Sequence, residues 1–237
     1  MSITKNWLNK YMKILGIDTS TDFLCIGLTC GSKLYEYRLE AARKMSVLIT
    51  AHIRRILQTL DLHTQDIDFF ACGLGPGSFT GLRVGVATIK GLSYTNKKPI
   101  AAVSTLDILA NEVKSSSGTI IPALDAKRGL IYCCVYESNG KTIKKTSPYM
   151  LLSLPEFLKK VKPGSIILGD AIKLYENEFL KSSLRLSLLE KDYWYPKGHN
   201  IIKLAQNQIT KGKLADSFTI EPIYLYPKEC QIRPHKK

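Results

Sequence analysis

The sequence predicts an α/β fold assembled from two copies of one supersecondary unit. Three observations carry that expectation. Short apolar runs of strand length alternate with stretches in which apolar residues recur at helical spacing. The order strand–Asp, hairpin, helix, strand, Gly is met in the first half of the chain and met again after a Ser-rich link at Ser115-Ser116-Ser117-Gly118. The run Gly73-Leu74-Gly75-Pro76-Gly77-Ser78-Phe79-Thr80-Gly81-Leu82-Arg83 joins a strand to a helix. At such a junction, unpaired backbone N–H groups and the helix dipole point the same way.

The elements follow in order. Lys13–Asp18 is an apolar run closed by a carboxylate and a hydroxyl-rich turn, Thr19-Ser20-Thr21. Leu24–Thr29 and Lys33–Leu39 read as strands joined by a tight turn at Gly31-Ser32. From Met45 to Leu60 the period changes to that of a helix, with Leu48, Ile49, Ile53, Ile56, Leu57 and Leu60 on one face and Arg54 and Arg55 turned away. Phe69–Cys72 is a strand, Phe79–Tyr94 a helix and Ile100–Val103 a strand, and Ser104-Thr105-Leu106-Asp107 opens a helix with a capping-box pattern. After the link, Thr119–Leu124 runs into Asp125, Leu130–Tyr136 is read as one strand, and Asn139-Gly140 turns into Lys141–Thr146. Then come a helix at Leu154–Val161, a strand at Ile166–Leu168 ending in Gly169-Asp170, and a helix from Ala171 to Leu180. Ile201–Gln208 reads as a helix and Glu221–Pro227 as an extended tail. No residue-level repeat is visible, so the duplication rests on element order. A doubled β-β-β-α-β-α unit with an Asp closing each first strand is the layout of the actin-like ATPase fold, two ribonuclease-H-like lobes about a cleft. The expected division is an extension at 1–11, a first lobe at 12–114 and a second at 115–237, its last segment open to a return to the first lobe.

Composition restricts the function classes. Hydrophobic residues make up 45% and charged residues 23%, ordinary for a folded domain. No apolar stretch reaches the length of a membrane span, and the polar start, Met1 to Tyr11, has no leader pattern, so the expectation is a cytoplasmic protein. The six cysteines include no Cys-x-x-Cys pair and mostly sit in apolar runs, and no two histidines stand at i, i+4, so no metal is expected. Lys and Arg exceed Asp and Glu by 34 to 20, a net charge of +14. That excess favours phosphate-rich partners, RNA above all. It is dispersed, with nine basic against four acidic residues both in 1–60 and in 191–237, and such dispersal also fits a general bias toward solubility.

The glycine run matches neither common phosphate motif. No lysine follows it before Lys90, which excludes a P-loop, and Ser78 stands where a dinucleotide fingerprint needs its third glycine. A weak nucleotide site would draw on Asp18, Thr19, Gly75, Gly77 and Ser78. The alternative is a tight turn that lets the following helix pack flush, with Asp18 capping its own turn, Ser78 and Thr80 at the helix start, and Asp125 paired with Lys127 or Arg128.

Ile14-Leu15-Gly16-Ile17-Asp18-Thr19-Ser20, the Gly75–Gly91 run and Ala123-Leu124-Asp125-Ala126-Lys127-Arg128 together resemble the bacterial TsaB (YeaZ) family. The resemblance is good over residues 12–135 and holds in outline beyond them. It implies the actin-like fold and a non-catalytic subunit, partner of the TsaD enzyme that transfers threonylcarbamoyl to the adenosine beside the tRNA anticodon. It also implies an ATPase partner, TsaE, and contact with tRNA at least through the complex. It implies no cofactor in this chain, with ATP or ADP an option only at the assembled complex. TsaD holds a metal through a His-x-x-x-His pair that is absent here, and Met45-Ser46 stands where relatives carry His-Ser. Family members associate, with TsaD or with a second copy, through two helices. Carried onto this chain, the interface would include Leu48, His52, Arg55, Gly81, Gly85, Thr88 and Ile89, with Gly81 and Gly85 forming a smooth groove. Should that small face pack on the chain's own sheet instead, the opposite one, Leu82, Val86 and Ile89, would be the free one. Two enzyme readings compete: a small ATP-dependent kinase of the same superfamily, and a glycopeptidase-type hydrolase. The first lacks a Gly-rich turn after Asp18 and the second lacks a locatable catalytic set.

Overall fold

A computed structural model describes residues 12–227, so the expected extension at 1–11, His235 and Cys230 lie outside the described residues. The first sheet contains β1 (Ile14–Asp18), β2 (Phe23–Cys30), β3 (Lys33–Glu40), β4 (Phe69–Gly73) and β5 (Ile100–Val103), in the order β3-β2-β1-β4-β5. β1, β2 and β3 pair antiparallel, while β4 and β5 add in parallel beside β1. Alternate residues of the central strands face opposite layers, as the two-residue strand period requires. Leu15, Ile17, Leu24, Ile26 and Leu28 pack under α1 (Met45–Thr59) and α2 (Phe79–Asn96). Ile14, Cys25, Ala71 and Ala101 pack on the other face with Ile201, Ile202 and Ala205 of α6 (Gly198–Thr210). The last helix therefore lies on the first sheet, where Gly16 and Gly27 leave no room for a side chain against Ile201 and the Gly198 backbone.

The second sheet is built on one long strand, β6 (Ser117–Lys127). Its neighbours are β7 (Leu130–Cys133), β8 (Tyr136–Asn139), β9 (Ile143–Lys145), β10 (Met150–Ser153), β11 (Ile166–Leu168) and β12 (Ser187–Leu188). α4 (Leu154–Lys160) and α5 (Ile172–Lys181) cover one face through Phe157 and Phe179. α3 (Thr105–Glu112) sits between the lobes: Ile108 joins the first lobe's second core, while Leu106, Leu109 and Ala110 pack on β6 and β7 residues. The architecture is the actin-like fold of two ribonuclease-H-like lobes. Among the described residues no helix is long and apolar enough to cross a membrane.

Three local expectations are corrected, and two strands, β10 and β12, were not foreseen. Leu130–Tyr136 is two strands, because Cys134 and Val135 carry the chain from the second half of β6 to its first half. The Ser-rich link is shorter than expected, since Ser117 and Gly118 already pair with β8. β10 and β12 lie in segments too short or too mixed to show a period. In α3, Ser104 caps Leu106 N–H at 3.2 Å, but Asp107 does not complete a box. Its carboxylate instead accepts from the hydroxyls of Tyr136 and Tyr149, at 2.5 and 2.9 Å.

Candidate functional site

The β1–β2 turn and the glycine run meet at the base of the interlobe cleft, and each is shaped to the other. Asp18 is fully buried at the end of β1. Its Oδ1 accepts from the Ser20 N–H at 2.8 Å and the Ser20 hydroxyl at 2.6 Å, and its Oδ2 accepts from the Thr105 hydroxyl at 2.7 Å. Burial raises its pKa above the ordinary carboxylate value, opposed by those same hydrogen bonds. A Cβ at Gly73 would overlap the Asp18 carboxylate, at Gly77 the Ser20 carbonyl, at Gly81 the Thr19 carbonyl, and at Gly85 the Thr19 hydroxyl. Thr19 also donates its hydroxyl to the Gly81 carbonyl at 2.8 Å, and Ser78 N–H donates to the Ser20 carbonyl at 2.6 Å. The close visitor for which the glycines leave space is thus the chain's own turn, residues 18–21.

At Asp18 and Thr19 that geometry favours the tight-turn reading of the loop, because both are buried and the space beside Asp18 is filled by the chain's own turn; Gly77 and Ser78, by contrast, also line the cleft above it. Ser78 caps α2 by accepting from Gly81 N–H at 3.2 Å, and Gly75 holds α3 by accepting from Thr105 N–H at 2.9 Å. Substitution separates structural from ionic duty at Asp18. Asp18→Ala strands three buried donors and is expected to cost about 3 kcal/mol, while Asp18→Asn keeps an acceptor and should stay within about 1 kcal/mol. Urea-denaturation midpoints check both; an equal, large loss in Asn would mean that the negative charge itself is required.

The expected interface set is divided by the structure. Gly81, Gly85 and Ile89 are buried inside the first lobe, so the smooth groove for a second helix does not exist on that face. Leu82 and Val86, on the face expected to be free in its place, are buried as well. Leu48 and Thr88 are half-buried, His52 stacks on Tyr37 with ring centroids 4.9 Å apart, and Arg55 is exposed. The face of α2 that does reach solvent carries Arg83, Ala87, Gly91 and Tyr94, beside Val47 and Ala51 of α1. A Cβ added at Gly91 would meet nothing within 4 Å, in contrast to Gly81 and Gly85.

Above the sealed turn the cleft between the lobes has a volume of about 540 Å³, with Asp22, Ser78, Asp125, Asp170 and Tyr226 among its walls. Lys127 holds Asp125 by an ion pair at 2.6 Å, as the sequence suggested. Asp170 accepts from Asp125 N–H at 2.8 Å, and burial pushes its pKa up to about 6. The segment after α6 straps the cleft. Ile223 N–H donates to the Leu74 carbonyl at 2.8 Å, Tyr224 packs on Phe79, and the Tyr226 hydroxyl donates to Ala126 and Lys127 carbonyls of the second lobe. Sequence reasoning missed Asp170 and these tyrosines as cleft residues; a Gly-Asp at a strand end was the one available signal. Among the described residues no cluster of His, Cys, Asp and Glu could hold a metal ion.

Comparison with known proteins places this geometry in a family. A family model described as TsaD, tRNA N6-adenosine threonylcarbamoyltransferase, matches residues 39–215. Curated relatives named tRNA threonylcarbamoyladenosine biosynthesis protein TsaB include one from Bacillus subtilis, 33% identical over 70% of this chain and 74% of the relative. Another, from Escherichia coli, is 26% identical over 90% of this chain and 94% of its own. A solved structure titled YeaZ from Pseudomonas aeruginosa superposes with a TM-score of 0.78 at 21% identity, over 90% of this chain and all of that one, which speaks to the fold. The chain belongs to the TsaB (YeaZ) family of tRNA threonylcarbamoyladenosine biosynthesis proteins.

Proposed function

We propose that the chain is a non-catalytic subunit that binds and orders a TsaD-type threonylcarbamoyltransferase during modification of the adenosine beside the tRNA anticodon. The observation that carries this reading is the sealed first-strand Asp. A working ATPase or kinase of this fold needs that carboxylate free to orient a metal and water, and here it is consumed by Ser20 and Thr105. The reading extends to a cytoplasmic complex that includes a TsaE-type ATPase, contacts tRNA, and holds any ATP or ADP at the assembled interface.

The contact is assigned to the outward face of α1 and α2. Val47 is 74% exposed there, and Gly91 stands mid-helix with nothing near it. A glycine in a helix interior costs about 1 kcal/mol relative to alanine. Gly81 and Gly85 recover that cost inside the chain, whereas for Gly91 a close-packed partner helix supplies the compensation. A second copy of the chain competes for the same face.

Gly91→Arg is therefore expected to abolish co-elution with the TsaD-type enzyme on a sizing column while leaving the melting temperature of the isolated chain within a few degrees of wild type. Undiminished co-elution would remove this face from the interface. Purified chain should neither hydrolyse ATP nor transfer phosphate; turnover that disappears in Asp18→Asn would overturn the scaffold reading itself.

A further inference from the structure

Among the described residues, the three most exposed large apolar side chains gather on one side of the first lobe: Phe218 at 76%, Val47 at 74% and Tyr94 at 66%. Val47 stands in the first turn of α1. Tyr94 lies three residues beyond Gly91 and seven beyond Ala87, so it closes the same solvent row of α2. Phe218 comes from the segment after α6 and meets Tyr94 edge to face, with ring centroids 5.9 Å apart and ring planes at 87°. Exposed apolar residues scattered singly need no explanation, but a group of this kind marks a contact.

Phe218 is held out to solvent by its own segment. On one side Ala215 exchanges two backbone hydrogen bonds with Ile100 of β5, each 2.8 Å. On the other, Ile220 is buried in the first lobe's core. Between these anchors, Asp216 Oδ1 accepts from the Phe218 N–H at 2.8 Å, the Thr219 N–H at 2.9 Å and the Thr219 hydroxyl at 3.1 Å. A ring fixed in this way loses little freedom on binding, which suits it to be the anchor of an interface. Charge then separates the candidate occupants. α1 and α2 carry Arg54, Arg55, Arg83 and Lys90 and not one acid. Two copies meeting about a two-fold axis would each bring that same cationic pair of helices, and like charges so placed oppose the pairing. The small, uncharged row of Ala87 and Gly91 that leads to the rings admits a close-packed protein backbone and offers nothing to a phosphate.

We infer that Tyr94 and Phe218 together anchor the contact with the TsaD-type enzyme, entering an apolar pocket on that enzyme whose rim is acidic. The inference deepens the proposed function and rests on it for the partner's identity. It adds to a face made of α1 and α2 a residue from the segment after α6, some 120 positions further along the chain than Tyr94. It also sets the enzyme above a second copy of the chain as the occupant of that face.

The probe is the purified TsaD-type enzyme, titrated calorimetrically with the full chain. Phe218→Ala and Tyr94→Ala are each expected to weaken binding about thirtyfold, the loss of one buried aromatic anchor. Together they should lose less than the product of the two, because the rings touch each other. Isolated Phe218→Ala should melt within about two degrees of wild type, since an exposed side chain supports little of the fold. Arg54→Glu should weaken binding about fivefold at low salt and less at high salt. Leu180→Ala, at another exposed apolar position but on the second lobe, should change affinity less than about twofold. Gly91→Arg separates the two possible failures. If that variant loses the enzyme while both ring variants keep wild-type affinity, the inference falls and the proposed function stands; if the wild-type chain does not bind the enzyme, both fall. Ring variants that lose only self-association in sedimentation would make a second copy the occupant and overturn the inference. Variants that lose only affinity for an anticodon stem-loop RNA would overturn it in favour of nucleic acid.

Discussion

Gly81→Val is expected to lower the thermal midpoint of the isolated chain by roughly 6–12 °C, a loss of about 3 kcal/mol. The first methyl carbon alone would overlap the Thr19 carbonyl oxygen. That oxygen is backbone, held in the turn by the Thr19 hydroxyl bond to Gly81 and by the Ser20 bonds to Asp18 and Ser78. It has no rotamer through which to retreat, so relief requires α2 to lift from the sheet. That movement would expose Leu82, Val86 and Ile89, which are now buried. Replacing a helical glycine gains at most about 1 kcal/mol of propensity, too little to offset the overlap. The same gain should appear unopposed in Gly91→Ala, which meets no atom within 4 Å. The two variants therefore move in opposite directions, Gly91→Ala upward by a few degrees in the isolated chain. A Gly81→Val protein melting within about two or three degrees of wild type would refute the close approach of turn and helix.

The contrast also shows what the sequence could and could not convey about the site. Glycines four apart announce that something approaches α2 closely, because the cost of each must be recovered by a contact. They do not say what approaches. The answer lay in Thr19-Ser20, some sixty positions earlier, and nothing local marks a long-range backbone contact. Element order was legible where one face of a strand or helix is buried and the other is wet, as in α1, where Ile49, Ile53 and Leu57 are buried. It failed at Leu130–Tyr136, because Ile131 to Cys134 and Tyr136 are all buried and the apolar run has no visible break. The split is imposed by β6, which is long enough to need two partners on one edge. Gly91 was within the glycine run from the start. Placing it on the helical wheel against Gly81 and Gly85 would have put it on another face, the one cue to the solvent side of α2.

Asp170→Asn is expected to stabilise the chain by about 3 kcal/mol at pH 7 and to flatten its stability between about pH 4 and 6. Burial first, then the neighbouring carboxylates of Asp125 and Asp22, lift the Asp170 pKa to about 6, against the Asp125 N–H bond and the Lys127 charge, which lower it. The folded chain thus keeps a proton that the unfolded chain, with an ordinary carboxyl near 4, has already released. Wild-type stability from this group is greatest below about pH 4, declines as pH rises to about 6, and is level above that. A shift of about two units corresponds to about 3 kcal/mol. Asparagine keeps an oxygen for the Asp125 N–H, now 2.8 Å from Oδ1, and carries no charge to bury. Urea titrations of both proteins at steps from about pH 4 to 8 measure the difference curve, which should open through that window and then stay constant. A constant difference at every pH would mean that Asp170 titrates alike in the folded and unfolded chains, which would refute the raised pKa.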